Sequence, residues 1–192
     1  MQEIKTEIKT FVFMGRPGSG KGAQAARLSK QTGFKIFSTG DRCREISGQD
    51  SFLGRKLRRV VEGGELTPDW FASYLFEEAL LPLAPEQGII FDGLGRKESE
   101  ARLFNEVCQW LHRPYQVIFL DTKEKTVRER LLKRSTEGRA DDAEEAIHIR
   151  FQAYERDTEP AINFFESLGV VATVDGERDS DLRNLRRGLV AD

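Results

Sequence analysis

The stretch FVFMGRPGSGKGAQ, residues 11–24, decides the fold. Phe11 to Met14 read as a short buried strand, and the change of composition at Gly15 requires the backbone to turn there with no side chains in the way. Gly15, Gly20 and Lys21 match the phosphate-loop spacing of glycine, four residues, glycine, lysine. Gly18 and Ser19 inside the loop allow the close approach that directs backbone N–H groups at phosphate oxygens, and Lys21 is placed to reach the outer phosphates. Ala23, Ala26, Arg27 and Lys30 then recur at helical spacing before Gly33, so the loop opens a helix whose N-terminus also favours an anion. A tight strand-to-helix turn alone does not need the lysine. The pattern ends in Gly22 where most such loops carry serine or threonine, which removes the usual direct hydroxyl ligand to Mg2+.

Working outward, GIIFD at 88–92, QVIFLD at 116–121 and GVVATVD at 169–175 are further short apolar runs, and FKIFST at 34–39 is a possible fifth strand. Helical stretches separate them, which gives the βαβ alternation of an α/β protein with a parallel sheet. Two segments interrupt the alternation. Residues 40–69 are charged, carry helical fragments and turn at GGELTP, the pattern of a small helical insertion. Residues 134–142, RSTEGRADD, have no apolar anchor and read as an exposed lid loop before a helix that Asp141 or Asp142 can cap. The tandem EIKTEIKT near the start reads as a frayed helix.

At 192 residues the chain suits a single domain, 1–192, with a substantial core. Thirty basic against 32 acidic residues leave a formal charge of −2, which argues against nucleic-acid binding through a basic surface. The polar start lacks a signal-peptide core and no apolar run has membrane-spanning length, so a cytoplasmic, membrane-free protein is expected. Cys43 and Cys108 are too few and too far apart for a disulfide framework or zinc site, and His112 and His148 lack ligand-spaced partners.

Taken together these segments resemble the adenylate kinase family of nucleoside monophosphate kinases, from Phe11 to about Gly169. GRPGSGKGAQ resembles its phosphate loop, including the glycine after the lysine; STGDRCR resembles its Ser-Thr-Gly-Asp-Leu-Leu-Arg segment; and GGELTPD resembles the turn that closes its monophosphate-binding insertion. FDGLGR resembles its Asp-Gly-Phe-Pro-Arg signature, and RLLKRSTEGRADD, followed by Arg150 and TEP, resembles its short lid and the next helix.

The resemblance implies a three-layer P-loop NTPase fold with a five-stranded parallel sheet. The implied reaction is reversible transfer of the terminal phosphoryl of ATP to a nucleoside monophosphate, with AMP the leading acceptor, and with Mg2+; the chain is expected to work as a monomer. Phosphoryl transfer needs positioning and charge stabilisation rather than covalent chemistry, and arginine binds two phosphate oxygens at once without losing its charge. The resemblance assigns Gly15, Gly18, Ser19, Gly20, Lys21, Gly22, Ala23, Arg130 and Arg134 to ATP, with Arg130 matching the arginine that stacks on the donor base. It assigns Thr39, Gly40, Arg44, Leu66, Thr67, Gly93, Arg96, Glu100, Arg139 and Arg150 to the monophosphate. Lys21, Arg96, Arg134, Arg139 and Arg150 are its catalytic cations, and Asp92 is its carboxylate, holding Mg2+ through water. Asp121 ends another strand and is read as structural.

Four positions depart from the family pattern. Ala23 replaces threonine, Arg42 and Cys43 replace two leucines, Gly95 replaces the signature proline, and Glu100 falls where the family's glutamine reads adenine. Loss of the proline suggests a less preorganised acceptor site. An ionised Glu100 can only accept hydrogen bonds, which suggests an AMP preference weakened in favour of GMP or CMP. The alternatives are therefore a kinase with an altered acceptor, or a nucleotide-binding regulatory protein that lost turnover.

Overall fold

The computed structural model describes residues 8–135 and 144–177. Five strands, β1 (Thr10–Gly15), β2 (Lys35–Ser38), β3 (Ile89–Asp92), β4 (Tyr115–Asp121) and β5 (Val171–Asp175), form one sheet in the order β2-β3-β1-β4-β5. Every pairing is parallel. The eight helices among the described residues are α1 (Lys21–Thr32), α2 (Thr39–Ser47), α3 (Phe52–Glu62), α4 (Asp69–Leu80), α5 (Glu98–Trp110), α6 (Glu124–Ser135), α7 (Glu144–Ala153) and α8 (Glu159–Ser167). A π-helical stretch, Tyr154–Thr158, joins the last two. None of these helices is long and apolar enough to cross a membrane.

Alternation along β1 explains the three layers. Val12 and Met14 face one side and pack with Phe76 of α4, Phe104 of α5 and Phe165 of α8. Phe11 and Phe13 face the other and pack with Ala25 and Leu28 of α1. Both faces are covered, so the strand has no need of polar residues and reads as a continuous apolar run. A separate small core of Cys43, Ile46, Leu57, Phe71 and Leu75 ties α2, α3 and α4 together, and Val127 and Leu131 of α6 meet Ile147 and Phe151 of α7.

The register aligns Ser38 of β2 with Asp92 of β3, and Asp92 with Phe13 of β1. The carboxyl ends of the three strands thus share one rim, where β1 lies between β3 and β4 and the chain leaves the sheet in opposite directions. Such a rim is where open α/β sheets bind ligands.

All five expected strands are present, and the insertion is helical. The strand expected at 34–39 is shorter because Ser38 caps α2, its side chain accepting from the Asp41 N–H at 3.2 Å, so Thr39 already belongs to the helix. The last strand starts at Val171, since Gly169, at φ 71°, turns the chain out of α8. The expected N-terminal helix falls mostly outside the described residues, and Thr10, its last residue, is the first of β1. The lid at 134–142 also lies outside them beyond Ser135, and with it Arg139, Asp141 and Asp142.

Candidate functional site

The loop between β1 and α1 is crowded from below. Gly15 and Gly18 have φ of 141° and 83°, and a Cβ on them would stand 2.7 Å from the Leu120 carbonyl and 2.9 Å from the Val127 carbonyl. Only glycine passes at both places. Lys21 begins α1 and reaches back over the loop, its Nζ donating to the carbonyl oxygens of Gly15 and Arg16, each at 2.9 Å. Ser19 Oγ is buried beneath the loop and Thr39 Oγ1 at the start of α2, both without a hydrogen-bond partner among the described residues.

A cavity of about 470 Å3 opens above this rim. At one end it is lined by Gly18, Gly20, Lys21, Gly22 and Ala23 of the loop, with Arg130 of α6. At the other it is lined by Thr39, Gly40 and Arg44 of α2, Leu66 and Thr67 of the turn before α4, Gly93, Arg96 and Glu100 after β3, and Arg150 of α7. Asp92 lies between them. Gly15 and Ser19 support the loop from beneath rather than line the cavity, while the Arg134 side chain and all of Arg139 are outside the described structure. The Arg130 guanidinium donates to the Gly176 carbonyl at 3.2 Å and to that of Ser19 at 3.4 Å, which fixes it beside the loop.

Sequence reasoning misses Asp41, Val61, Gly64 and Glu65 as cavity residues, and marks Cys43 only as a departure. Gly64 is informative. Its Cβ position lies 2.7 Å from the Ala146 carbonyl and 3.1 Å from Arg150 Cγ, so the turn after α3 rests on α7 and closes that side. The paired glycines of GGEL are the available signal.

Burial sets the electrostatics. Asp92 is pushed above the ordinary carboxylate range by desolvation; Lys21, Arg96 and Arg44 pull it back and Asp41 adds to the rise. Desolvation also lowers Arg96, opposed by Glu100 and Asp92, yet a guanidinium remains charged. Cys43 is raised by burial and stays a thiol. A Cβ on Gly22 would stand 3.2 Å from Asp92 Oδ2, so the missing hydroxyl at that position leaves room beside the carboxylate.

Among the described residues no three metal-ligating side chains cluster. That suits Mg2+, which keeps several waters and takes one or two carboxylates together with substrate phosphates rather than a protein cage. Asp92, buried beside Lys21 and the start of α1, is one of four described carboxyls that line the cavity, with Asp41, Glu65 and Glu100.

Residues 13–170 match the adenylate kinase family model. The chain belongs to the adenylate kinase family. It is 37% identical over 173 residues to an adenylate kinase of Thermus thermophilus, covering 88% of this chain and 89% of the relative. Over 172 residues it is 34% identical to an adenylate kinase of Prochlorococcus marinus, covering 89% and 92%. To adenylate kinase isoenzyme 1 of Homo sapiens it is 33% identical over 183 residues, covering 94% and 93%. Membership in the adenylate kinase family makes the chain a P-loop phosphotransferase of the nucleoside monophosphate kinase class.

For an adenylate kinase family member, Glu100 stands out, because desolvation raises its carboxyl to about 7 despite the Arg96 N–H and the charges of Arg96 and Lys97, with Asp69 adding to the rise. The folded state then binds a proton that the unfolded chain releases near 4.5, so stability falls as pH rises from about 4.5 to about 7 and levels off above. The size is on the order of 3 kcal/mol. Glu100→Gln is expected to remove this component, which denaturant titrations of both proteins at several pH values measure. Parallel pH curves for the two would refute the raised carboxyl.

Proposed function

We propose that the protein transfers the terminal phosphoryl group of Mg-ATP reversibly to AMP. The observation that supports this most is one cavity that gathers Lys21, Arg44, Arg96 and Arg150 from four separate elements, with Asp92 among them. In this reading the glycine loop and Lys21 hold the donor phosphates through backbone N–H groups and one ammonium. Arg44 and Arg96 grip the acceptor phosphate. Arg150, with Arg134 and Arg139 from the lid, completes the charge around the migrating group, whose three oxygens gather negative charge in transit. An acceptor phosphate oxygen forms the new P–O bond as the bond to the donor's bridging oxygen breaks, and two nucleoside diphosphates result.

Mg2+, when bound with ATP, neutralises the donor oxygens, and Asp92 is the residue that would orient its waters. The helical insertion at about 40–69 and the lid at about 134–142 act as covers that exclude water and favour transfer over hydrolysis. A regulatory protein without turnover has less support, because the cations that transfer needs are retained.

A coupled assay of Mg-ATP with AMP, GMP, CMP, UMP and dTMP tests the reading, and absence of any ADP formation would overturn it. Paired sites carry a second expectation. Two nucleosides joined through five phosphates should raise Tm well beyond ATP at equal concentration, since one molecule fills both sites. Equal shifts would mean that no acceptor site accompanies the donor site.

A further inference from the structure

Glu100 occupies the first turn of α5, is 4% exposed and lines the cavity. Its Oε2 accepts the Arg96 backbone N–H at 3.0 Å and keeps a second lone pair. Its Oε1 has no hydrogen-bond partner among the described residues and is not sealed from the cavity. The charged and titratable groups around it are Arg96 and Lys97 from its own segment, Asp69 from α4 and Cys43 from α2. Asp69 is already committed, to Lys97 Nζ at 2.6 Å and to the Ser99 hydroxyl. An acceptor whose phosphate sits on Arg44 and Arg96 has its remaining bulk within the same cavity wall as Val61, Leu66 and Glu100, where Asp41, Glu65 and Asp92 are the other described carboxyls.

Resting on the proposed kinase reading, we propose that the proton on Glu100 selects the acceptor's base. With Oε1 protonated, the carboxylic acid donates to adenine N1 while Oε2 accepts from the adenine amino group, the same pair an amide offers. Ionised, the carboxylate accepts from the ring N–H and the amino group of guanine and faces adenine N1 with lone pair against lone pair. AMP is therefore preferred at low pH, and the preference shifts toward GMP as the proton leaves. Burial brings that change within reach of neutral pH, whereas the Cys43 thiol, raised by its own burial, does not titrate there. The preference for AMP is thus reversible rather than simply lost.

The test compares kcat/KM for AMP and GMP at about pH 6 and about pH 8.5, in the wild type and in Glu100→Gln. Tm shifts produced by each nucleotide are measured in parallel. Taking the ratio of the two acceptors cancels the titration of the phosphate they share. In the wild type the AMP:GMP ratio is expected to fall about tenfold between the two pH values, the scale of one lost and one opposed hydrogen bond. In Glu100→Gln it should stay high and flat. A wild-type ratio independent of pH, or a variant that follows the wild-type course, overturns the proposal while leaving the kinase reading intact. Tm shifts with the expected pH course but no turnover overturn the kinase reading and leave base selection by Glu100 standing. No Tm shift and no turnover with either nucleotide overturns both.

Discussion

Lys21→Met is expected to lower kcat/KM for ATP by about 1,000-fold, close to 4 kcal/mol of transition-state stabilisation, with kcat carrying most of the loss. The ammonium stands at the start of α1 and bridges two loop carbonyls at 2.9 Å, which holds its charge over the glycine loop proposed to take the donor phosphates. Methionine keeps the length and the apolar stem but removes the charge, so it deletes an interaction that grows as charge develops on the transferring group. Stability should change little. The lost bonds to Gly15 and Arg16 are part-buried and charge-assisted, worth about 1–2 kcal/mol each before water replaces the ammonium at the two carbonyls, and no core side chain moves. Arg27→Met, on the exposed face of the same helix, serves as the control and should leave activity unchanged. Near-normal turnover in Lys21→Met would detach the loop from the donor phosphates, whatever the fold.

The parts of this site that are legible in sequence are those imposed by local geometry. A strand buried on both faces must be apolar, a loop pressed against Leu120 and Val127 must be glycine, and a helix starting at a cation must follow, so FVFMGRPGSGKGAQ states its own structure. What stays hidden depends on which distant surfaces meet. The turn at Gly64 reaches Arg150 only because α7 returns beneath the insertion. The ion pair of Lys97 with Asp69, 2.6 Å long, pins the start of α4 to the start of α5, and neither residue's role shows in a motif. Glu100 is intermediate. The resemblance places it at the acceptor's base, while its charge in ESEAR points to a solvated helix start and its spacing to Phe104 and Cys108 to the stripe that α5 buries. The helical period carries the signal, and the charge masks it.

Tertiary packing likewise governs Gly95, where restoring the proline of the family signature is expected to destabilise the protein by about 4 kcal/mol, lowering Tm by about 10 °C. Absence of proline suggests a looser acceptor site, but the backbone here has φ +65°, in the left-handed region. Proline is held near φ −65°, so the segment cannot keep its path and must rebuild on both sides. Little freedom exists for that. Leu94 on one side is 1% exposed, and on the other the Arg96 N–H is fixed to Glu100 Oε2 at 3.0 Å. The Cβ position itself lies 3.2 Å from Cε2 of the fully buried Phe165, so a side chain also presses on the core beneath α8. Gly95→Ala separates the two effects: it meets the same ring and the same positive φ but can adopt that φ at about 1–2 kcal/mol, so it should fall between wild type and proline. Activity should follow the same order, because moving Arg96 withdraws a cation from the proposed acceptor-phosphate site. A proline variant as stable as the wild type would mean that the loop readily takes an extended path and that Arg96 is loosely held. The expected order of wild type, alanine and proline instead makes the glycine the residue that lets Arg96 be held, with Phe165 and Glu100 supplying the rigidity that a proline supplies elsewhere in the family.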